Sequence, residues 1–155
     1  AWTIGEEVLR ANYDRFSTEG KAELVFRLQN TRAAVDSLGV CVMAGRVIGM
    51  EEMARIMTLT TGWNFSSEEI TKAGERIYNL ERLLAVRDGI RRKDDTLPPR
   101  ILNETLPQGP SKNIKLSKEN LDRMLDEYYK LRGWDKGGKP TEGKLKELGI
   151  PGLLR

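Results

Sequence analysis

Apolar residues recur along this chain at intervals of three, four and seven, and strict apolar–polar alternation is nearly absent. That period is helical, so an all-α, irregular multi-helix domain of about six helices is predicted. Thr3 and Glu6 form a T-x-x-E start for a short first helix, despite Gly5. Leu24, Leu28, Val35 and Leu38 trace one stripe of a second helix that Gly39 is placed to end. Met53, Ile56, Met57 and Thr60 share a face of a third, closed by Gly62. The longest helix starts at a capping box, Ser66 with Glu69, and Phe65 is set to staple onto Ile70. Its predicted inward stripe is Ile70, Ala73, Ile77, Leu80, Leu84 and Arg87, stopped by Gly89.

Periodicity then collapses. Residues 90–114 hold Pro98, Pro99, Pro107 and Pro110, each hostile to a helix interior, and are predicted to form an extended arm packed by Ile101, Leu102 and Leu106 over neighbouring structure. Ser117 caps a further helix with Leu121, Met124, Leu125, Tyr128 and Leu131 inward, ended by Gly133. Thr141 opens a last short helix, ended by Gly149. The 155 residues read as one domain.

Composition removes several function classes. There are 26 Lys and Arg against 23 Asp and Glu, mixed along the chain, which describes an ordinary solubilising surface. The basic run Arg91, Arg92, Lys93 is followed at once by two aspartates and has no interleaved aromatics, so no nucleic-acid partner is expected. No long uncharged apolar run and no leader pattern is present, so a soluble, cytoplasmic protein without a membrane partner is predicted. Histidine is absent, which removes Ser-His-Asp, Cys-His and HExxH chemistry, and no phosphate-cradling glycine motif occurs. The adjacent acid pairs Glu51–Glu52, Glu68–Glu69 and Asp94–Asp95 read as solvated helix starts or loop charges.

One stretch, "DSLGVC" at residues 36–41, stands apart. Asp36 lies in the last turn of its helix, where a carboxylate beside unpaired carbonyls costs roughly 0.3 to 1 kcal/mol. Such a group can accept paired N–H donors from a ligand, although a pair with Arg32, four residues earlier, accounts for it somewhat better on spacing alone. Gly39 permits a left-handed turn and close approach of a flat ligand, though most such glycines are plain helix stops. Cys41, the single cysteine, reads in isolation as a small buried hydrophobe among Val40, Val42 and Met43. An iron–sulfur cluster takes four thiolates, so this chain alone could supply only one.

"DSLGVC", with "TGWNFSSEEITKAGERIYNLERLLAVRDGIRRKDDTLPPRIL" and "LDRMLDEYYKLRGWDKGGKPTEGKLKELGI", resembles the C-terminal, third domain of the tungsten-containing aldehyde ferredoxin oxidoreductase family. The likeness runs from about Lys21 to Leu148. It implies a larger enzyme whose N-terminal and middle domains are this domain's partners, and which binds a tungsten (or molybdenum) bis-pterin and a 4Fe-4S cluster. In the family's D-x-x-G-L-C motif the acid binds pterin and the cysteine is the fourth cluster ligand. Carried over, Asp36 would bind the pterin edge, the backbone of Gly39 and Val40 would lie against it, and Cys41 would ligate iron. Val40 stands where the family usually has Leu. The other three cysteines, a C-x-x-C-x-x-x-C run, and the metal-proximal acid and histidine would precede this chain, so no catalytic residue is assigned within it. The implied reaction takes an aldehyde and water to a carboxylate and passes electrons to ferredoxin. The isolated domain is expected to be inactive and to expose apolar surface where sister domains dock. The alternative is a stand-alone helical interaction module that has lost the cofactors, its proline-rich arm serving a partner.

Overall fold

The computed structural model describes residues 16–41 and 43–150. Among them are six α-helices and no strand: α1 Lys21–Ser37, α2 Met50–Thr61, α3 Ser67–Arg87, α4 Pro99–Asn103, α5 Lys118–Arg132 and α6 Glu142–Glu147. Extended pairing is limited to isolated bridges, Leu106 with Lys112 and Trp134 with Pro140. The all-α prediction holds. The helix expected from Thr3 lies outside the described residues. No described helix is long and apolar enough to cross a membrane.

Helix α3 is the axis, and its entry is fixed locally. Glu69 N–H donates to Ser66 Oγ at 3.2 Å, while Ser66 N–H donates to the Glu69 carboxylate at 2.7 Å. Phe65 packs on the cluster of Ala34, Ala54 and Ile70, as a hydrophobic staple requires. Both α1 and α2 pack against α3, and α5 packs against α1. At the α1–α3 crossing a Cβ added to Gly74 would sit 1.9 Å from the Asn30 carbonyl oxygen, so only glycine lets the two backbones approach this closely. Farther along, Leu83 joins Leu148 and Ile150 in a second cluster that holds the C-terminal turn.

Several predicted inward positions are displaced. On α3, Leu83 and Val86 are buried, whereas Leu84 is 51% exposed and Arg87 lies in solvent beside Asp88. The helix serves α1, α2 and the C-terminal turn, so its apolar surface is not a single stripe. On α2, Met53 and Ala54 face inward while Ile56 and Thr60 do not. On α1 the most buried line is Ala22, Asn30, Ala34 and Val35, with Leu24, Leu28 and Leu38 only half-buried. On α5, Arg132 is fully buried and Leu131 is not.

Within residues 90–114, Pro99 is the first residue of α4, where its missing N–H costs nothing, so a helix forms at a site that proline appeared to forbid. Ile101 and Leu106 are exposed, and Leu102 is half-buried. The segment is tied down at its start by Asp95, which accepts both arms of the Arg82 guanidinium at 2.8 and 2.5 Å and a hydrogen bond from the Tyr129 hydroxyl.

Candidate functional site

The last turn of α1 leads directly into the stretch that the sequence singles out. Gly39 has φ +68°, a left-handed conformation that ends the helix, and its N–H donates to the Asp36 carbonyl at 3.2 Å. A Cβ at Gly39 would meet nothing within 4 Å, so the requirement for glycine is conformational and the space beside it is open. The chain then returns onto α1. Gly45 N–H donates to the Cys41 carbonyl at 2.9 Å, and a Cβ at Gly45 would lie 2.8 Å from Val35 Cγ1. This close seating on Val35 fixes the loop that carries Cys41.

Cys41 is exposed and free, which overturns its reading as a buried hydrophobe. Its thiol is held below the ordinary thiol value by the backbone N–H groups of Met43 and Ala44, with the Arg32 cation adding to the effect. Donors aimed at a sulfur favour the thiolate, the form that ligates a metal. Asp36 is exposed as well, and Arg32 Nε lies 3.3 Å from its Oδ1. The i,i+4 pair expected from spacing therefore forms. Val40 is half-buried, and Met43 and Val47 are 59% and 85% exposed, so apolar side chains of the segment that follows the thiol face solvent. The structure thus brings Asp36, Gly39, Val40 and Cys41 to one end of α1. Among the described residues no three Asp, Glu, His or Cys side chains converge as a metal-binding group. One thiolate with backbone donors fits one corner of a cluster completed from elsewhere, and an exposed carboxylate fits one edge of a pterin.

A second concave region lies toward the other end of α1. This cleft of about 610 Å³ is lined by Val25 of α1, Tyr78 and Arg82 of α3, and Leu121, Met124 and Tyr128 of α5. Its polar groups are occupied with one another. Gln29 Nε2 donates to the Tyr78 hydroxyl at 2.6 Å, the Tyr128 hydroxyl donates to Gln29 Oε1 at 2.5 Å, and Arg82 is consumed by Asp95. Burial and the Asp95 carboxylate push the Tyr129 hydroxyl up to about 12, and burial opposes the Asp95 charge but loses to the bonds from Arg82 and Tyr129, which hold its carboxyl below the usual range. Beside the cleft, Arg132 sits against the rings of Phe26, Tyr78 and Tyr128 and donates to Asn30, Gln29 and Tyr128. Sequence reasoning missed this network, because its partners lie some hundred residues apart and no periodic signal joins them.

Residues 1–150 match the family model for aldehyde ferredoxin oxidoreductase, domains 2 and 3. The chain is 40% identical over 134 residues to the tungsten-containing aldehyde ferredoxin oxidoreductase of Pyrococcus abyssi, covering 86% of this chain and 22% of that protein. It is 34% identical over 124 residues to the WOR-like subunit of an aliphatic sulfonate oxidoreductase of Pyrococcus furiosus, covering 76% of this chain and 20% of that one. Among solved structures it is similar to a chain of the active-site complex BamBC of benzoyl coenzyme A reductase with 1,5-dienoyl-CoA, with a TM-score of 0.71 at 25% identity, over 89% of this chain and 20% of that one. The chain spans about a fifth of the length of the curated relatives it matches. With this coverage and a common helical fold, the chain belongs to the aldehyde ferredoxin oxidoreductase family and falls within its second and third domains.

Proposed function

We propose that this chain is the cofactor-closing C-terminal domain of a tungstopterin aldehyde:ferredoxin oxidoreductase, with Asp36 on the pterin edge, the Gly39–Val40 backbone against it, and Cys41 as one ligand of a 4Fe-4S cluster. The observation that carries this reading is the exposed Cys41 thiol, turned outward beside an acid at the end of a helix and held toward thiolate by two backbone N–H groups. A structural cysteine would sit in the core.

When bound, the tungstopterin would supply the two-electron oxidation of an aldehyde with water to a carboxylate, and the cluster held in part by Cys41 would serve electron transfer to ferredoxin. This chain's residues hold and orient. Asp36 would accept N–H donors from the pyrimidinone edge, and the ring would lie in the space beside Gly39, where an added Cβ meets nothing within 4 Å. The nearby N–H groups of Met43 and Ala44 favour the anionic, metal-binding form of the Cys41 thiol. Exposed Met43 and Val47 form an apolar rim against which the N-terminal and middle domains close, excluding water from the cluster. Aldehyde is the favoured substrate class because the relative named for it is 40% identical, against 34% for the one named for sulfonate.

The test is Cys41→Ser in the intact protein, read by iron and acid-labile sulfide content and by the EPR signal of the reduced protein. Loss of cluster iron with the fold retained is expected. Wild-type iron in the variant would remove Cys41 from the ligand set, and a wild-type protein that itself holds no cluster iron would favour an interaction module.

A further inference from the structure

The cleft between α1, α3 and α5 presents apolar surface that the described residues do not cover. Ala22 and Val25 of α1, Leu97 before α4, and Leu121, Met124 and Leu125 of α5 line it, and it is open to solvent. Val25 is 41% exposed there, although it sits one turn from buried Ala22. The polar groups of the wall, Gln29, Tyr78, Tyr128 and the Arg82–Asp95 pair, are bonded to one another. A site for a polar small molecule keeps a few such groups free to orient its ligand. An occupant that brings apolar side chains alone suits this wall better.

The described chain begins at the edge of the cleft. Thr18 Oγ1 accepts a hydrogen bond from Arg123 of α5 at 2.6 Å, and Lys21, the first residue of α1, is among the lining residues. Ahead of this point stand residues 1–15, AWTIGEEVLRANYDR, which lie outside the described residues. Projected at about 100° per residue, Thr3, Glu6, Glu7, Arg10 and Asp14 fall within an arc of about 100°, while Trp2, Ile4, Val8, Leu9 and Tyr13 lie on the remainder. A helix patterned in this way needs cover for its apolar side. Its length would be about 22 Å, matching the 15 residues of α5 that form one wall of the cleft.

We propose that residues 1–15 form an amphipathic helix that folds back along the cleft and seats its apolar side chains between α1 and α5. Residues 16–20 alone join the segment to the cleft's edge, so its effective concentration there is on the order of millimolar, well above that of a second copy or a separate peptide. The inference is independent of the roles given to Asp36 and Cys41.

Methyl NOE spectroscopy on the full 155-residue chain, labelled at Ile, Leu, Val and Met, tests it. NOEs from Val8 or Leu9 to Val25, Met124 or Leu125 are expected. In a mixture of labelled and unlabelled chains these contacts should stay within one molecule; contacts found only between molecules would overturn the proposal in favour of a second copy in the cleft. Assigned methyls with no such NOEs would overturn it in favour of another occupant. Hydrogen exchange of a Val8→Asp, Leu9→Asp double variant gives a second readout. Amides of residues 24–29 and 121–125 should exchange about tenfold faster than in wild type, while those of Leu148 and Ile150, bonded to the Lys144 and Leu145 carbonyls, keep their rates. Wild-type rates at every one of these amides would count against the seating, and if the variant loses protection throughout, the NOEs of the wild-type chain decide.

Discussion

Replacing Gly74 with alanine tests the packing that sets the direction of α1, and with it the placement of Asp36 and Cys41. The added Cβ would lie 1.9 Å from the Asn30 carbonyl oxygen, 2.8 Å from its carbon and 3.2 Å from Ala34 N. Ordinary contact begins near 3.4 Å, so the oxygen must withdraw by about 1.5 Å, and it belongs to a helix backbone rather than a flexible side chain. Overpacking of this kind costs about 1 to 3 kcal/mol, and a backbone obstacle places it toward the upper end. Alanine recovers about 0.8 to 1 kcal/mol of helix propensity, leaving a net loss of about 1 to 2 kcal/mol. For a chain of this length that corresponds to a fall of about 2 to 8 °C in Tm. Gly143→Ala is the matched control, since it too is helical but a Cβ there meets nothing within 4 Å. It should stabilise by about 0.5 to 1 kcal/mol. Thermal and urea unfolding followed by far-ultraviolet circular dichroism measures both. A Gly74→Ala protein as stable as wild type would refute the claim that this crossing depends on glycine.

The Arg82–Asp95–Tyr129 cluster sets an acid limit. Because the Asp95 carboxyl is held below its unfolded value near 3.9, its contribution is complete above that pH and disappears as pH falls through the folded value. Asp95→Asn should cost about 2 kcal/mol at neutral pH and flatten the loss of stability below about pH 4; urea midpoints across that range check it, and an unchanged acid slope would exclude Asp95 as its source. Arg132→Lys should also cost about 2 kcal/mol despite keeping the charge, because an ammonium cannot serve Asn30, Gln29 and Tyr128 from one planar fork. A lysine variant with the wild-type urea midpoint would show that charge alone suffices there.

Helix boundaries were legible because their signals are local. Ser66, Ser117 and Thr141 each accept a hydrogen bond from a backbone N–H three residues on, and Gly62, Gly89 and Gly133 each take a positive φ just past a helix end. The inward faces were less legible because they depend on what each helix meets. Leu83 is buried and Leu84 is not, since residues 148 and 150 return to α3 on that side. Arg132 could not be read as core from pattern, as two of its three acceptors, Gln29 and Asn30, lie on α1, about a hundred residues away. At the site, adjacency put Asp36, Gly39 and Cys41 on one turn. The exposure of Cys41 and the donors at its sulfur depend on the path of the loop after Val40, which is set by Gly45 seating on Val35 rather than by any motif.

Asp36 illustrates how a residue unfavourable to its own helix can remain there at little net cost. The carboxylate in the last turn opposes the helix dipole by about 0.3 to 1 kcal/mol. Its i,i+4 ion pair with Arg32 returns about 0.3 to 0.5 kcal/mol, so the two terms nearly cancel and the fold is close to indifferent to the acid. A residue that stability neither requires nor forbids is free to be set by ligand binding. The same reasoning extends to Cys41, which is exposed where it stands and takes no place in the core. The packing of α1 against α3 at Gly74 and the seating of Gly45 on Val35 carry the structural load instead, leaving the exposed turn between them free for the ligand role proposed for it.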